Sequence, residues 1–116
     1  EVPAVSYEKL DSGDGEPSSA VRGRVARARE MQKNRFAGLP IAVNAEMNLA
    51  HLKQFVPVTD DLKQTLKMAH ERYQLSARSY HRVLKLARTI ADLVGSAALG
   101  NDHLLEALTY RPKQEL

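Results

Sequence analysis

A chain of 116 residues holds one domain, or part of one, and can bury about 65% of its unfolded surface in a single modest core. It has no cysteine, which excludes disulfides and thiolate metal sites, and no apolar run approaches the roughly 20 residues that cross a bilayer. Its 17 basic and 14 acidic residues leave a formal charge of +3, a mild attraction to phosphate and far from a histone-like excess, so the placement of the charges matters more than their sum.

Residues 1–17, "EVPAVSYEKLDSGDGEP", open loosely extended and then run into Gly13, Gly15 and Pro17, so an extended tail or linker is expected. Asp11, Asp14 and Glu16 miss the alternate positions of a calcium loop and read as a solvated acidic linker. Ser18 or Ser19 is the expected N-cap of a helix through "AVRGRVARAREMQKNRF", with Val21, Val25, Ala28 and Met31 or Gln32 on a narrow side. Gly23 weakens this helix by about 1 kcal/mol relative to alanine. Its other faces carry Arg22, Arg24, Arg27, Arg29, Lys33 and Arg35 against one acid, Glu30. Two readings stand side by side for those cations: a solvated face, or contact with nucleic-acid phosphates.

Gly38 and Pro40 stop that helix, and Asn44 is placed to cap a short one through Leu52 or Phe55, ended by Pro57. Thr59 caps "DDLKQTLKMAHERYQ", whose Asp60 and Asp61 suit the positive end of the dipole and whose Leu62, Leu66, Ala69 and Tyr73 are spaced for burial. Ser76 caps "ARSYHRVLKLARTIADL". There Tyr80, Val83, Leu84, Ala87, Ile90, Ala91 and Val94 share a broad arc that must face the core, which makes this the central helix. Opposite lie Arg78, Arg82, Lys85 and Thr89, flanked by His81 and Arg88, with Lys85 and Arg88 expected at the surface. Gly95 and Gly100 bracket a turn, Asn101 is the expected cap of "DHLLEALTYR" with Leu104 or Leu105 and Leu108 facing inward, and Pro112 ends it. The expected architecture is all-α: a helical bundle of four to five helices over residues 18–116 with an extended N-terminal tail.

Arg78 stands out because a first-turn arginine sits where the dipole and free backbone N–H groups already favour an anion. Other chemistries find little support. Ser76, His81 and Asp92 lie on one helix, whose rise keeps His81 and Asp92 about 16 Å apart, too far for a catalytic triad. His51, His70, His81 and His103 show no paired metal spacing and read as exposed or half-buried helix residues, so no metal site is expected. Phe36, Phe55, Tyr73, Tyr80 and Tyr110 fall at helical core positions, which favours packing over base stacking.

The strings "SSAVRGRVARAREMQKNRF", "NAEMNLAHL", "LSARSYHRVLKLARTIADLVGS" and "HLLEALTYR", in this order and spacing, resemble the C-terminal region of magnesium-chelatase-like AAA+ ATPases of the ComM/YifB type. More distantly they are similar to the helical lid of the magnesium chelatase ATPase subunit. The resemblance implies the lid of an ATP-driven, hexameric ring, following a nucleotide-binding core that residues 1–17 would leave. Arg78 of "SAR" is similar to the family's sensor-2 arginine, which reaches ATP phosphate, with Ser76 and Arg82 beside it as further cofactor-binding candidates. ATP and Mg2+ are the implied cofactors of the full-length protein. No GxxxxGK[ST] string is present, so this fragment alone should neither bind them nor hydrolyse ATP. The implied partners are its own core, neighbouring ring subunits and DNA during branch migration, in the cytoplasm and without a membrane. Two alternatives are a basic helical DNA-binding module and the lid of a true magnesium chelatase subunit.

Overall fold

Pro17, the first described residue, has φ of −57°, and its carbonyl accepts from the amides of Ala20 and Val21 at 3.0 and 3.2 Å. The computed structural model describes residues 17–110, so the tail expected before Pro17 and the stop at Pro112 lie outside the described residues. Helix α1 (Ser18–Arg35) follows without any side-chain cap. The expected Ser18 or Ser19 cap is replaced by the proline because its fixed φ sets the turn. Only Ala28 and Gln32 of α1 are buried, Val25 and Met31 are half-buried, and Val21 is exposed. The predicted stripe therefore buries at its C-terminal half alone.

Phe36 leaves the helix and enters the core, meeting Phe55 edge-on with ring centroids 5.3 Å apart. A loop with Gly38 at φ +83° leads to a single 3-10 turn at Asn44–Glu46. Asn44 was expected to cap a helix; instead it is buried and its amide side chain bonds other elements, a better use of four polar sites than one cap. The cap of α2 (Leu49–Phe55) is Asn48, whose Oδ1 accepts from the His51 amide at 2.9 Å while His51 Nδ1 accepts from the Asn48 amide at 3.1 Å.

Helix α3 (Asp60–Tyr73) matches its expected features: Thr59 Oγ1 accepts from the Leu62 amide at 3.3 Å, and Leu62, Leu66 and Ala69 are buried. Helix α4 (Ala77–Leu93) begins at Ser76, whose Oγ accepts from the Ser79 amide at 3.1 Å. Helix α5 (Asn101–Thr109) has Gly100 as its N-cap residue, not Asn101. Asn101 Oδ1 accepts instead from Thr65 Oγ1 at 2.8 Å, tying α5 to α3, and His103 Nδ1 takes the Gly100 amide at 3.0 Å. That service buries His103, which the sequence placed at or near the surface. Leu104 and Leu108 are buried and Leu105 is exposed.

The described residues form five α-helices and no strand. α4 is the hub: it packs on α1, α2, the 3-10 turn and α5, while α3 closes on α5. Val83, Leu84, Ala87, Ile90 and Ala91 are buried as their arc requires. Val94 is 64% exposed, because α4 ends at Leu93 and the helical arc no longer governs it. Tyr110 is exposed as well, at the end of α5 and clear of the core.

The C-terminus of α4 is a Schellman motif. The Ser96 amide donates to Ala91 O at 2.8 Å and the Gly95 amide to Asp92 O at 3.0 Å, with Gly95 at φ +76°. This reversal turns the carbonyls of Ser96 and Ala97 back toward the helix, where Arg88 waits: its Nη2 and Nη1 donate to them at 2.6 and 3.1 Å.

Candidate anion-binding groove

One face of α4 presents Arg78, His81, Arg82, Lys85 and Thr89, at the spacing that aligns side chains along a helix. Together with Ala45 of the 3-10 turn and Leu86 they line an open groove of about 610 Å³, with no acidic residue in its lining. Lys85 Nζ donates to Ala45 O across it at 3.3 Å, and Thr89 Oγ1 is fixed at one end by donating to Lys85 O at 3.0 Å. Arg78 and Arg82 are exposed, and among the described residues neither makes an ion pair or hydrogen bond. Two uncompensated guanidiniums, Arg78 in the first turn of α4 and Arg82 one turn farther along, make a place suited to a phosphate-like anion.

Ser76 is not part of this groove. Its hydroxyl accepts from the Ser79 amide, donates to Ser79 Oγ at 3.2 Å, and borders a separate hollow of about 470 Å³ with Lys63, Lys67 and Tyr80. Its contribution to the candidate site is the helix start that presents Arg78. With the Ser79 amide taken by Ser76 Oγ and the Tyr80 amide by Ser76 O, the amides of Ala77 and Arg78 are the first-turn donors with no intrahelical acceptor.

The six cations of α1 separate. Arg22, Arg27, Arg29 and Lys33 are exposed and Arg24 is half-buried. Arg29 borders a second, smaller hollow that shares Ala45 and Thr89 with the groove. Arg35 departs from the expected nucleic-acid face altogether. Its Nη2 donates to Asp92 Oδ1 at 2.7 Å and its Nη1 to Asp92 Oδ2 and Asn44 Oδ1, both at 2.9 Å.

Arg88 corrects the sequence reading most sharply. Expected at the surface, it is 4% exposed and donates from Nε to Asp92 Oδ1 at 3.2 Å besides its two carbonyl bonds. Asp92 thus holds two arginines and the Asn44 amide, whose Nδ2 donates to Oδ2 at 2.9 Å and also to Thr89 Oγ1 at 3.0 Å. Gln32 Oε1 accepts the Asn44 backbone N–H at 3.0 Å. Burial alone would raise the Asp92 carboxyl, yet the hydrogen bonds from Arg35 and Asn44 and the two guanidinium charges hold it below the usual carboxylate range. Burial presses Arg88 below its ordinary value, with Asp92 opposing and Arg35 adding to the effect. The sequence carried one signal of this: an acid in the last turn of α4 opposes the helix dipole and asks for a cation.

An ATP phosphate suits the groove's donor set, which is cationic and free of carboxylates; a Mg2+ ion would find no oxygen-anion ligand in that lining. Among the described residues no three histidine or carboxylate side chains converge as a metal site, and no helix is long and apolar enough to cross a membrane.

Comparison with known proteins adds independent findings. The family model described as magnesium chelatase, subunit ChlI C-terminal, matches residues 15–111. Competence protein ComM of Haemophilus influenzae is 41% identical over 113 residues, covering 96% of this chain and 21% of that protein. The uncharacterized protein YifB of Escherichia coli is 37% identical over 97 residues, covering 84% and 18% respectively. An uncharacterized protein of Mycobacterium tuberculosis is 35% identical over 102 residues, covering 88% and 20%. The chain spans about a fifth of the length of these curated relatives. On a match that takes in nearly all of its helical body, the chain belongs to the magnesium chelatase ChlI C-terminal family and is homologous to the corresponding region of ComM and YifB.

Proposed function

We propose that residues 18–116 are the lid of a magnesium-chelatase-like AAA+ ATPase, joined through residues 1–17 to a nucleotide-binding core, and that Arg78 contacts the β- or γ-phosphate of ATP held by that core. The observation that carries the reading is the state of Arg78: exposed, without a partner among the described residues, in the first turn of α4 and lining a cationic groove. Arg82 stands one turn along the same groove as a second phosphate contact. Mg2+ and the phosphate-cradling loop belong to the core, since the chain has no GxxxxGK[ST] string. A charge-assisted hydrogen bond of this kind is worth about 1.5–3 kcal/mol, enough to tie lid position to the nucleotide and drive rotation within a hexameric ring. The similarity to a competence protein supports DNA processing as the use of that motion, in the cytoplasm. In the intact ATPase, Arg78→Ala lowers turnover or nucleotide affinity while the bundle melts as in wild type; unchanged kinetics would remove the assignment.

A second reading rests on the exposed cations of α1: Arg22, Arg29 and Lys33 share one side of the helix by their spacing and Arg27 lies farther round it, with Glu30 as the helix's one acid. As a nucleic-acid contact it requires binding to duplex or single-stranded DNA that weakens steeply with salt. A chain that binds no DNA at low salt leaves the lid reading in place and discards this one. The lid of a true magnesium chelatase, the remaining alternative, would require activity with chelatase partner subunits.

A further inference from the structure

Helix α1 is held to the bundle in an unusual manner for a helix of 18 residues. Its fully buried residues are one small apolar residue, Ala28, and the polar Gln32, with Val25 and Met31 half-buried, and its C-terminal residue Arg35 spans to α4 through a bidentate pair with Asp92. Apolar burial, the usual glue of helix packing, is therefore sparse along α1 and resumes only at Phe36, which is sealed against Phe55.

The hydrogen bonds at Asp92 are arranged so that Arg35 can leave without stripping the carboxylate of its donors. Oδ1 receives Arg35 Nη2 and Arg88 Nε; Oδ2 receives Arg35 Nη1 and Asn44 Nδ2. Remove Arg35 and each carboxylate oxygen still keeps one donor, while Arg88 keeps its two carbonyls; the group that loses its donor is Asn44 Oδ1, so release of Arg35 also loosens the Asn44–Glu46 turn. The Arg35 side chain is 13% exposed against 0% for Asp92, so of the two partners it is the one that reaches the surface. Removing Asp92 is different, because two guanidiniums then lose their shared anion.

The same contacts connect α1 to the groove. Gln32 and Arg35 both bond Asn44, which opens the 3-10 turn, and the next residue, Ala45, forms the groove wall opposite Arg78 and Arg82.

We infer that α1 is a latched lever: the Arg35–Asp92 pair locks α1 and the Asn44–Glu46 turn onto α4, and its release frees α1 about a pivot at Phe36 while α3, α4 and α5 stay assembled. The latch itself stands on the contacts above. Its use, passing motion from the upstream core to the wall of the Arg78 groove, rests on the lid reading.

Hydrogen exchange on the 116-residue chain tests the latch directly, comparing wild type with Arg35→Met, which keeps the stem and removes the fork. The expected result is exchange at least ~10-fold faster for amides within residues 22–35 and 44–47, with wild-type protection throughout α3 and α5. Arg35→Lys, which keeps the charge but not the bidentate geometry, should give a smaller acceleration in the same segments. Unchanged α1 protection overturns the proposal, and so does equal acceleration in all helices or outright unfolding of Arg35→Met, since either makes the pair a global support and not a latch. Steady-state ATPase assays of the same variant in the intact parent separate the two proposals: local release without any kinetic effect leaves the latch standing and removes its use as a relay to the groove, whereas the lid reading itself falls only with unchanged kinetics of Arg78→Ala.

Discussion

Arg35 and Asp92 stand 57 positions apart in the chain and meet through two parallel hydrogen bonds of 2.7 and 2.9 Å. Arg88 and Asn44 bond the same carboxylate, Gln32 and Thr89 join through Asn44, and no buried side-chain N or O among the described residues lacks a partner. The asymmetry of the network predicts an asymmetry of cost. Asp92→Ala leaves Arg88 buried without its counter-ion and should destabilise the chain by about 3–5 kcal/mol. Arg35→Met should cost less, because both Asp92 oxygens retain donors and only the neutral Asn44 Oδ1 loses one. Urea unfolding of the two variants measures the difference, and equal costs would contradict the assigned hydrogen bonds.

Acid should act through the same residue. Asp92 is held below the usual carboxylate range in the folded chain, so as pH falls the unfolded chain takes up the proton first. The contribution is fully present above the ordinary carboxyl value of about 4 and is lost progressively as pH drops from there through the folded value. Unfolding free energy measured between pH 7 and pH 3 should hold level and then decline below about pH 4. Asp92→Asn should flatten that decline.

Gly95 owes its identity to its backbone. A Cβ there would meet no atom within 4 Å, so the cost of Gly95→Ala comes from φ of +76° alone and should be about 1 kcal/mol. The expected signature is a lower denaturation midpoint with an unchanged slope. A larger loss would show that the reversal also sets the Ser96 and Ala97 carbonyls on which Arg88 depends.

Ser76 and Arg82 should separate folding from anion recognition. Ser76→Ala removes the cap of α4 and should cost about 1 kcal/mol of stability. It should leave affinity for inorganic tripolyphosphate close to wild type. Arg82→Ala should do the reverse, since Arg82 is exposed and makes no ion pair or hydrogen bond among the described residues. Calorimetric titration at low salt reads one arm and thermal melting the other.

Much of the fold could be read from local spacing. The helical arc from Val83 to Ala91 identified α4 as the hub, Thr59 and Ser76 were legible as caps, and Gly95 as a reversal, because each depends on residues within a few positions of itself. Asn44 and Asn101 look like caps by the same local rule. Both were drawn away by partners on other helices, Asp92 and Thr89 for Asn44 and Thr65 for Asn101.

The sequence by itself determined an all-helical bundle, its central helix and the line of cations from Arg78 to Lys85, since helical periodicity sorts apolar from charged faces without reference to any distant residue. Tertiary structure alone decided which arginines remain free. A guanidinium looks the same in the sequence at positions 35, 78, 82 and 88. Only folding brings one buried carboxylate to two of them and leaves the other two facing open water across a groove.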